Sequence, residues 1–571
     1  MPGAEVLRGA PVLAGLSDEL LEQLAAEAGE VTVRAGEWLF REGEQAESLY
    51  VIRSGRLEVV AEGPPETLIR LLRRGDALGE LALLHAGVRS ASVRARRDSD
   101  LLELSRERFE ALIRDVPAFA VGLTRTIGAQ LAANRAPAAA PARPSTIAVV
   151  PLDAAAPARE LADLLLEALA RFGGVAELPD EASRSPAETL AALDRAEQQA
   201  ERVLMVATEP LPDERWTDLC LREADLIIAV AGGAPADAWR AHPALRGCEL
   251  LAVGDGTAIG ALAGLAPREA QVLADRSELP QRVEALARRL CGRSLGIVLS
   301  GGGARAFAHL GVVEELTAAG LVPDRIAGVS LGSVVGAGLA FGHDPEALAE
   351  LFRRGFVEAN PTGDYTMPLF SLIRGSRTRE LLREAFGERR IEELATRFFC
   401  LSCDLVGRES VVHRAGLLRD AVYPSLSIPG LFPPVPTADG RLLVDGGVLD
   451  NLPVETMAAA NEGPVIAVDV SGRVGGFGQG GRPGLERFRR PLRRLLTGGE
   501  AELPRLGETV VRTVTVGSID TAEAARRHAD LVIQPEVDGI GLLDWKRLDR
   551  VREIGREAAR DALQQWEGPP A

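Results

Sequence analysis

The pattern of apolar and polar positions changes twice along the chain. In the first 115 residues, alternating runs such as VTVRAGEWLF and SLYVIRSGRLEVV are separated by Gly and Pro turn signals. Helical periodicity flanks these runs at about 17–28 and 106–134. This pattern predicts a small β domain with flanking helices over residues 1–134.

A stretch of mostly Ala and Pro, at 135–145, interrupts all periodicity and predicts a semi-rigid linker. From Thr146 onward, apolar runs such as TIAVVPL and ADLIIAVAGG are separated by helical segments. Such alternation predicts a parallel sheet covered by helices, here an α/β spacer domain over 146–292. No glycine-rich phosphate loop follows these strands, so no cofactor is assigned to them. A last domain is predicted over 293–571, with its core at about 295–457.

Composition narrows the classes of function. The 571 residues carry a net charge of −17, which argues against a nucleic-acid partner. Five cysteines are few for this length and indicate reduced thiols. Cys400 and Cys403 have the CxxC spacing of some metal and redox sites, but no second pair of cysteines accompanies them. We therefore favour buried cysteines in a strand. The N-terminus lacks a signal-peptide pattern, and no run of about 18 apolar residues occurs. We therefore expect a cytoplasmic protein that touches membranes only peripherally, at the inner face.

Three segments of the last domain carry candidate chemistry. The first, SLGIVLSGGGARAFAHL, predicts a strand at Leu295–Leu299, a turn at Gly301–Gly303 and a helix from about Ala304. Three glycines allow several N–H groups to point at one spot, which suits an oxyanion or a phosphate. A purely structural tight turn is the alternative.

The second segment is Gly328-Val329-Ser330-Leu331-Gly332, between a strand-like run and a helix of small residues. In a nucleophile elbow, the glycines at Gly328 and Gly332 permit the sharp turn that exposes the serine hydroxyl. G-x-S-x-G also arises by chance, and the strand–turn–helix context is what favours catalysis. The third segment ends an apolar strand with Asp445-Gly446-Gly447, which alone would predict an ordinary turn.

Together, GGGxR, G-x-S-x-G and DGG, in this order and each at a strand end, resemble the patatin-like phospholipase family. The resemblance covers roughly residues 293–470 and extends through YPSLSIPGLFPPV and VIAVDVSG. The whole architecture looks most like bacterial relatives of neuropathy target esterase, a lysophospholipase. This resemblance implies a C-terminal α/β patatin-type hydrolase domain that cleaves a carboxylic ester of a lysophospholipid or phospholipid.

The resemblance also implies site residues. Ser330 would be the nucleophile of a Ser-Asp dyad and Asp445 its general base, with an acyl-serine intermediate and no metal or catalytic cofactor. The oxyanion hole would be formed by N–H groups of Gly301, Gly302 and Gly303, with Arg305 adjacent. Where the family often has Gly, this chain has Ala306. The alternative is a catalytic triad completed by a histidine. His413 lies between Ser330 and Asp445 in the sequence, and His528 follows both. A packing role is expected for His309.

Residues 76–95, DALGELALLHAGVRSASVRA, resemble the phosphate-binding cassette of cyclic-nucleotide-binding domains. The resemblance implies a β-roll in which Gly79, Glu80, Leu81 and Ala82 begin a short helix facing a cyclic phosphate. Arg89, Ser90 and Ser92 complete the cassette; Arg89 would bind the phosphate and Glu80 the ribose hydroxyl. Val88 replaces the family's usual Pro. Cyclic AMP or cyclic GMP would be the regulator, and a β-roll that binds no ligand is the alternative.

One further stretch has interfacial character. Residues 484–496, GLERFRRPLRRLL, place leucines and a phenylalanine among arginines, which predicts either peripheral membrane contact or a solvated loop. The expected chain is thus a multidomain lipid hydrolase regulated by a cyclic nucleotide. The rival interpretations are a catalytically inert sensor that acts by binding, and a general esterase or peptidase, which the absence of a well-placed histidine disfavours.

Overall fold

The structure is a computed structural model of the 571-residue chain. It describes most of the chain, namely residues 7, 8, 10–13, 16–34, 36–61, 67–73, 75–84, 87–116, 119, 120, 123, 143–181, 183–212, 214–239, 242–254, 256, 259, 260, 267–367, 371–471, 519–566 and 568. The chain divides into two compact units, Met1–Arg268 and Glu269–Ala571. The predicted stretch at 484–496 lies outside the described residues.

The first unit begins with an antiparallel β-roll. Its strands are β1 (Gly29–Val33), β2 (Trp38–Phe40), β3 (Ser48–Ala61), β4 (Thr67–Arg73), β5 (Ala77–Leu78) and β6 (Ser92–Ser105), and its helices are α1 (Asp18–Glu27), α2 (Glu80–Leu84) and α3 (Arg106–Asp115). The order is β1-β6-β3-β4, with β2 on β6 and β5 on β3. Serines cap the longer helices: Ser17 and Ser105 accept the N–H of Leu20 and Arg108.

A parallel sheet follows in the same unit. Its strands are β7 (Thr146–Pro151), β8 (Val175–Leu178), β9 (Arg202–Val206), β10 (Leu226–Ala231) and β11 (Glu249–Val253), and its helices are α4 (Ala158–Ala170), α5 (Pro186–Gln199) and α6 (Arg215–Glu223). These strands lie in the order β11-β10-β7-β9-β8. Every residue of β7 and β10 is buried, as expected for a parallel sheet covered on both faces.

The second unit is built around an eight-stranded sheet. Before it come β12 (Glu269–Leu273) and helix α7 (Leu279–Leu290). The sheet strands are β13 (Gly296–Leu299), β14 (Arg325–Val329), β15 (Arg397–Asp404), β16 (Glu409–His413), β17 (Val435–Pro436), β18 (Leu442–Asp445), β19 (Val465–Val468) and β20 (Leu531–Ile533). Hydrogen bonds connect them along the path β17-β18-β15-β14-β13-β19-β20, and β16 also pairs with β15.

Helices cover this sheet. They are α8 (Ala308–Ala318), α9 (Leu331–Phe341), α10 (Pro345–Phe352), α11 (Ser376–Phe386), α12 (Leu418–Ser425), α13 (Val454–Ala458), α14 (Ile519–His528) and α15 (Leu548–Gln565). A 3-10 turn, Gly303–Phe307, joins β13 to α8. The aromatic ring of Phe307 packs edge-on against Phe352 and Trp545 at the centre of the main core.

The register of β15 explains how two distant segments meet. Strand β14 runs parallel to β15 and ends with Val329 opposite Leu401. Strand β18 runs antiparallel, with Asp445 opposite the next residue, Ser402. Because β16 pairs with residues 400–404 of β15, β14 and β18 must share its other edge. The residue after β14, Ser330, is therefore placed next to the end of β18.

The predicted multidomain fold class is confirmed, including the β-roll and the α/β hydrolase domain, whereas the exact domain limits remain predictions. Among the described residues, no helix is both long and apolar enough to cross a membrane.

Candidate active site

Ser330 lies in a strained turn between β14 and α9. Its backbone has φ 53° and ψ −132°, which is uncommon for a residue other than glycine. Its N–H donates to Ser425 Oγ at 3.0 Å, and its side chain is almost fully buried. A methyl group on Gly328 would lie 2.5 Å from the Gly332 carbonyl oxygen, and one on Gly332 would lie 2.4 Å from the Leu299 carbonyl oxygen, so the turn needs both glycines. This is the geometry of a nucleophile elbow.

Asp445 ends β18 in a dry environment. Its N–H donates to the Ser427 carbonyl oxygen at 2.9 Å, and its Oδ1 accepts the N–H of Gly447 at 2.8 Å. Its Oδ2 is buried and has no hydrogen-bond partner among the described residues. Burial raises the pKa of Asp445 to about 7, although the Ser330 hydroxyl and the Gly447 N–H both lower it. A carboxylate with this pKa can exchange a proton near neutral pH.

Gly446 and Gly447 let the chain turn away immediately after the carboxylate. A side chain on Gly446 would press against the Leu401 carbonyl oxygen at 2.5 Å, and one on Gly447 would meet Asn451 Oδ1 at 2.9 Å. Close backbone packing therefore requires Gly446, whereas Gly447 leaves room for the side chains of Asn451 and Asp445.

The turn after β13 passes close to Ser330. Gly301 lies close to the serine, since a methyl group on it would be 2.8 Å from Ser330 Cβ. Its own N–H donates to Asn451 Oδ1 at 3.2 Å, so this group is occupied. Gly302 is extended (φ 179°) and Gly303 is left-handed (φ 53°). No hydrogen bond to a described residue is found for the N–H of Gly302 or Gly303, which leaves both groups available as oxyanion donors.

Arg305 fixes the far side of this turn. Its Nε donates to the Ile540 carbonyl oxygen at 2.8 Å and its Nη1 to that of Ser471 at 2.7 Å. The guanidinium therefore ties the glycine turn to two neighbouring segments, which gives Arg305 a positioning contact.

Sequence reasoning did not single out three residues that contact the site. Asn451 holds the Gly301 peptide from both sides, because its Nδ2 also donates to the Gly301 carbonyl oxygen at 3.3 Å. Ser425 and Ser427 fix the backbones of Ser330 and Asp445. Asn451 lies in the segment DNLP, and Ser425 and Ser427 lie in YPSLS. Nothing in either segment indicates which distant backbone groups these residues contact.

The histidines do not complete a triad. His309 is fully buried, its Nε2 is 2.9 Å from the Ser300 carbonyl oxygen, and burial lowers its pKa to about 4. His413 contacts Ser402 Oγ through Nε2 at 2.7 Å, and burial lowers its pKa to about 4 as well. His528 contacts the Ala524 carbonyl oxygen and Glu455. None of the three forms a hydrogen bond with Ser330 or Asp445 in the described structure.

The predicted nucleotide cassette lies at one end of the β-roll. Arg89 is buried, its side chain stacks on the Phe40 ring at 4.0 Å, and its Nη2 donates to the Ser48 carbonyl oxygen at 3.1 Å. Its Nη1 lies 3.5 Å from the carbonyl oxygen of Gly79, which is left-handed (φ 92°), and its Nε is buried without a hydrogen bond to any described residue. Burial lowers the pKa of Arg89, as expected for a cation held away from water.

The remaining cassette residues differ in their exposure to solvent. Glu80 and Ala82 are buried in the short helix α2, where Leu81 also lies, and Ser90 is exposed. Ser92 is fully buried, and its Oγ accepts the N–H of Glu42 at 2.8 Å, which is a structural contact.

All five cysteines are buried and free, and the prediction of buried strand cysteines for Cys400 and Cys403 is confirmed by their place in β15. Within the described part of the chain, no group of three or more His, Cys, Asp or Glu could hold a metal ion.

Comparisons with known proteins identify two domains of this chain. A family profile described as patatin-like phospholipase matches residues 297–458, and one described as cyclic nucleotide-binding domain matches residues 30–116. A solved structure, the regulatory domain of Toxoplasma gondii PKA with cAMP, is 32% identical over 19% of this chain and 42% of that chain. Its TM-score of 0.19 is too low to support a structural argument.

Relatives cover nearly the whole chain. NTE family proteins of Mycobacterium bovis and Mycobacterium tuberculosis are 37% identical over 98% of this chain and 96% of their own length. A lysophospholipase NTE1 of Phaeosphaeria nodorum is 25% identical over 94% of this chain, but only 42% of its own length is covered.

Proposed function

This chain belongs to the NTE family, and from that premise we propose that it is a lysophospholipase or phospholipase that uses Ser330 and Asp445 as a catalytic dyad. The observation that carries the proposal is the buried Asp445, because its pKa of about 7 and its Oδ2, which has no hydrogen bond to a described residue, suit a general base beside Ser330.

In the first half-reaction, Ser330 Oγ attacks the ester carbonyl carbon while its proton passes to Asp445 Oδ2. The negative charge on the tetrahedral intermediate is stabilised by the N–H groups of Gly302 and Gly303. Asn451 holds the neighbouring Gly301 peptide and so positions this turn. Asp445 then returns the proton to the leaving glycerol oxygen, and the acyl chain remains on Ser330 as an ester.

In the second half-reaction, water attacks the acyl-serine. Asp445 takes a proton from the water, and the same oxyanion donors stabilise the new intermediate. Its collapse releases a fatty acid and returns the proton to Ser330. Every proton transfer uses one carboxylate, so activity should require Asp445 in its ionised form.

The test is covalent labelling and kinetics of the full chain. Ser330→Ala should abolish labelling by a fluorophosphonate, and Ser330→Ala and Asp445→Asn should each lower hydrolysis of lysophosphatidylcholine by several orders of magnitude. The double variant should be little worse than either, because the pair acts as a unit. Ser410→Ala is the control, since this serine is exposed on β16. Substantial hydrolysis by Asp445→Asn would remove Asp445 as the base.

A second function is favoured by the β-roll. We propose that it binds cyclic AMP or cyclic GMP, with Arg89 as the phosphate ligand. Among the described residues, the buried Arg89 guanidinium donates to two carbonyl oxygens and its Nε has no hydrogen bond, an arrangement suited to a phosphate group. The N–H groups at the start of α2 and the exposed Ser90 would complete the contact.

Binding would regulate hydrolysis only if the nucleotide prefers one state of the enzyme over another. Calorimetric titration with each nucleotide, followed by hydrolysis assays with and without it, separates the possibilities. An absence of heat with both nucleotides would make the β-roll a scaffold. Heat without any change in hydrolysis would exclude control of the rate.

A further inference from the structure

Exposed apolar side chains of the second unit are concentrated at one end of its sheet. Among its described residues, six large apolar side chains are exposed, namely Val322, Tyr365, Met367, Leu405, Val406 and Leu543. Single exposed apolar residues are normal on protein surfaces, but a group at one edge indicates an interaction surface. Their positions relative to Ser330 therefore decide whether they form such a group.

Three of the six lie beside elements that end at the site. Leu405 and Val406 follow directly after β15, at the end where Ser402 pairs with Asp445. Leu543 follows Leu542, whose carbonyl oxygen accepts the N–H of Ala304 in the glycine turn at 2.8 Å. All three are thus at the carboxyl ends of the parallel strands, where the dyad lies.

Tyr365 and Met367 belong to a hairpin that is attached to the catalytic segment. Its arms, 364–367 and 371–374, pair through the N–H of Thr366 and the Leu372 carbonyl oxygen at 3.1 Å. The second arm donates two N–H groups to the carbonyl oxygens of residues 430 and 431, only a few residues beyond Ser427. The connecting residues 368–370 lie outside the described part and carry none of the argument.

The sixth residue lies at the opposite end. Val322 precedes β14, whose first residue is Arg325 and whose last residue precedes Ser330. It therefore lies at the amino ends of the strands, away from the dyad, and provides an internal comparison for the other five.

Positive charge accompanies the hairpin. Arg374 and Arg377 are exposed, and neither guanidinium forms an ion pair with a described residue. The nearby Asp364 carboxylate is engaged locally, since its Oδ2 accepts the N–H groups of Ser376 and Arg377. Exposed guanidinium groups in and after the hairpin that carries Tyr365 and Met367 are suited to phosphate headgroups above an acyl layer.

We propose that Tyr365, Met367, Leu405, Val406 and Leu543 form a docking rim that seats the hydrolase on the surface of a lipid bilayer or micelle. The inference rests on the proposed function, because it takes the molecules of that surface as the substrate. The rim lies at the same end of the sheet as Ser330. Its apolar side chains enter the headgroup region, so an acyl ester can pass into the site without crossing bulk water. Tyr365 suits this place, since its ring is apolar and its hydroxyl remains hydrated.

The test separates docking from catalysis. Tyr365→Ser/Met367→Ser is made in the full chain, together with the matched control Val322→Ser at the opposite end. Binding is measured by sedimentation with vesicles of phosphatidylcholine, with and without phosphatidylglycerol, in a Ser330→Ala background that consumes no lipid. Hydrolysis is measured on a water-soluble short-chain nitrophenyl ester and on lysophosphatidylcholine incorporated in the vesicles.

Because Tyr365 and Met367 are 74% and 77% exposed, seating them in lipid buries most of each side chain. We expect the double variant to partition into vesicles about 10- to 100-fold more weakly and to lose vesicle hydrolysis in proportion. The soluble ester should be cleaved at the wild-type rate, and Val322→Ser should behave as wild type throughout. Arg374→Gln should weaken binding about fivefold, and only to vesicles with phosphatidylglycerol.

Unchanged vesicle binding by the double variant, or an equal loss in Val322→Ser, would overturn the proposal. An equal loss on both substrates would instead assign the two residues to the acyl pocket. If light scattering showed that the double variant converts a dimer to a monomer, the rim would be occupied by a second copy of the chain. Failure of the proposed function has a different signature, because hydrolysis would then survive Ser330→Ala while vesicle binding could still depend on the rim.

Discussion

The buried carboxyl group of Asp445 should make the wild-type protein less stable at neutral pH than an otherwise identical chain without that charge. The perturbation is Asp445→Asn. The amide has the same shape, and its Oδ1 can still accept the N–H of Gly447. Its Nδ2 takes the place of the carboxyl Oδ2, which has no hydrogen bond to a described residue. The substitution therefore removes the titrating charge, together with the stabilisation that the Ser330 hydroxyl gives to that charge.

The magnitude follows from the pKa of Asp445, which burial raises from 3.8 to about 7. Between these two pH values the folded chain keeps a proton that the unfolded chain has released. Since the unfolded state binds fewer protons, the free energy of unfolding falls as pH rises through this window. A difference of about three pKa units, at about 1.4 kcal/mol per unit, corresponds to about 4 kcal/mol. Asp445→Asn should therefore match wild type near pH 4 and exceed it by up to about 4 kcal/mol at pH 8.

The assay uses two cysteines as reporters of the second unit. Cys400 and Cys403 are buried in β15, beside the dyad. Their alkylation in increasing urea, read by peptide mass spectrometry, follows opening of this sheet. Comparison of the two proteins at the same pH cancels the pH dependence of the thiol reaction itself.

Asp404 offers a matched control on the neighbouring strand. Three backbone N–H groups, from Leu442, Val406 and Gly407, lower the pKa of its carboxyl group. Asp404→Asn should therefore be less stable than wild type at pH 8, the opposite direction. If Asp445→Asn were no more stable than wild type at pH 8, or if its advantage did not change with pH, the account of Asp445 as a costly buried base would be wrong.

Four further outcomes are expected. In wild type, kcat/KM should rise as pH increases through about 7 and then level off, because Asp445 must be ionised; a profile that is flat from pH 5 to 9 would contradict this. Gly301→Ala should lower kcat about 10²–10³-fold, since its methyl group would lie 2.6 Å from Asn451 Oδ1 and 2.8 Å from Ser330 Cβ and so displace the oxyanion turn; an unaltered kcat in steady-state assays would place the hole elsewhere. Asn451→Ala should lower stability by about 1–3 kcal/mol in urea titrations, because it leaves the buried Gly301 peptide without both partners; unchanged stability would mean that water replaces the amide. Arg89→Ala should abolish the calorimetric signal with either cyclic nucleotide, and retained heat would exclude Arg89 as the phosphate ligand.

The sequence predicts well those features that local chemistry determines. Glycines at 328 and 332 around a serine, between an apolar strand and a helix of small residues, indicate the elbow, because only glycine permits that packing. The alternation of strands and helices likewise predicts the parallel sheet. These inferences do not require knowledge of the tertiary contacts of each residue.

Features that depend on non-local register could not be predicted in this way. Ser330 and Asp445 are 115 positions apart in the sequence, and they meet because β14 and β18 use successive parts of one edge of β15. The contacts of Asn451 and Ser425 arise from the same arrangement. The periodicity of the sequence carries no information on this strand register, so the sequence alone does not predict these contacts.

Desolvation also explains why a carboxylate suits the proposed role of general base in a buried site. Burial has opposite effects on the two kinds of base: it raises the pKa of Asp445 to about 7, but it lowers that of the buried His309 and His413 to about 4. A carboxylate in a buried site is therefore a stronger base than the same group in water, whereas burial weakens a histidine as a base. The loss of stability from the buried charge of Asp445 is the physical counterpart of that gain in basicity.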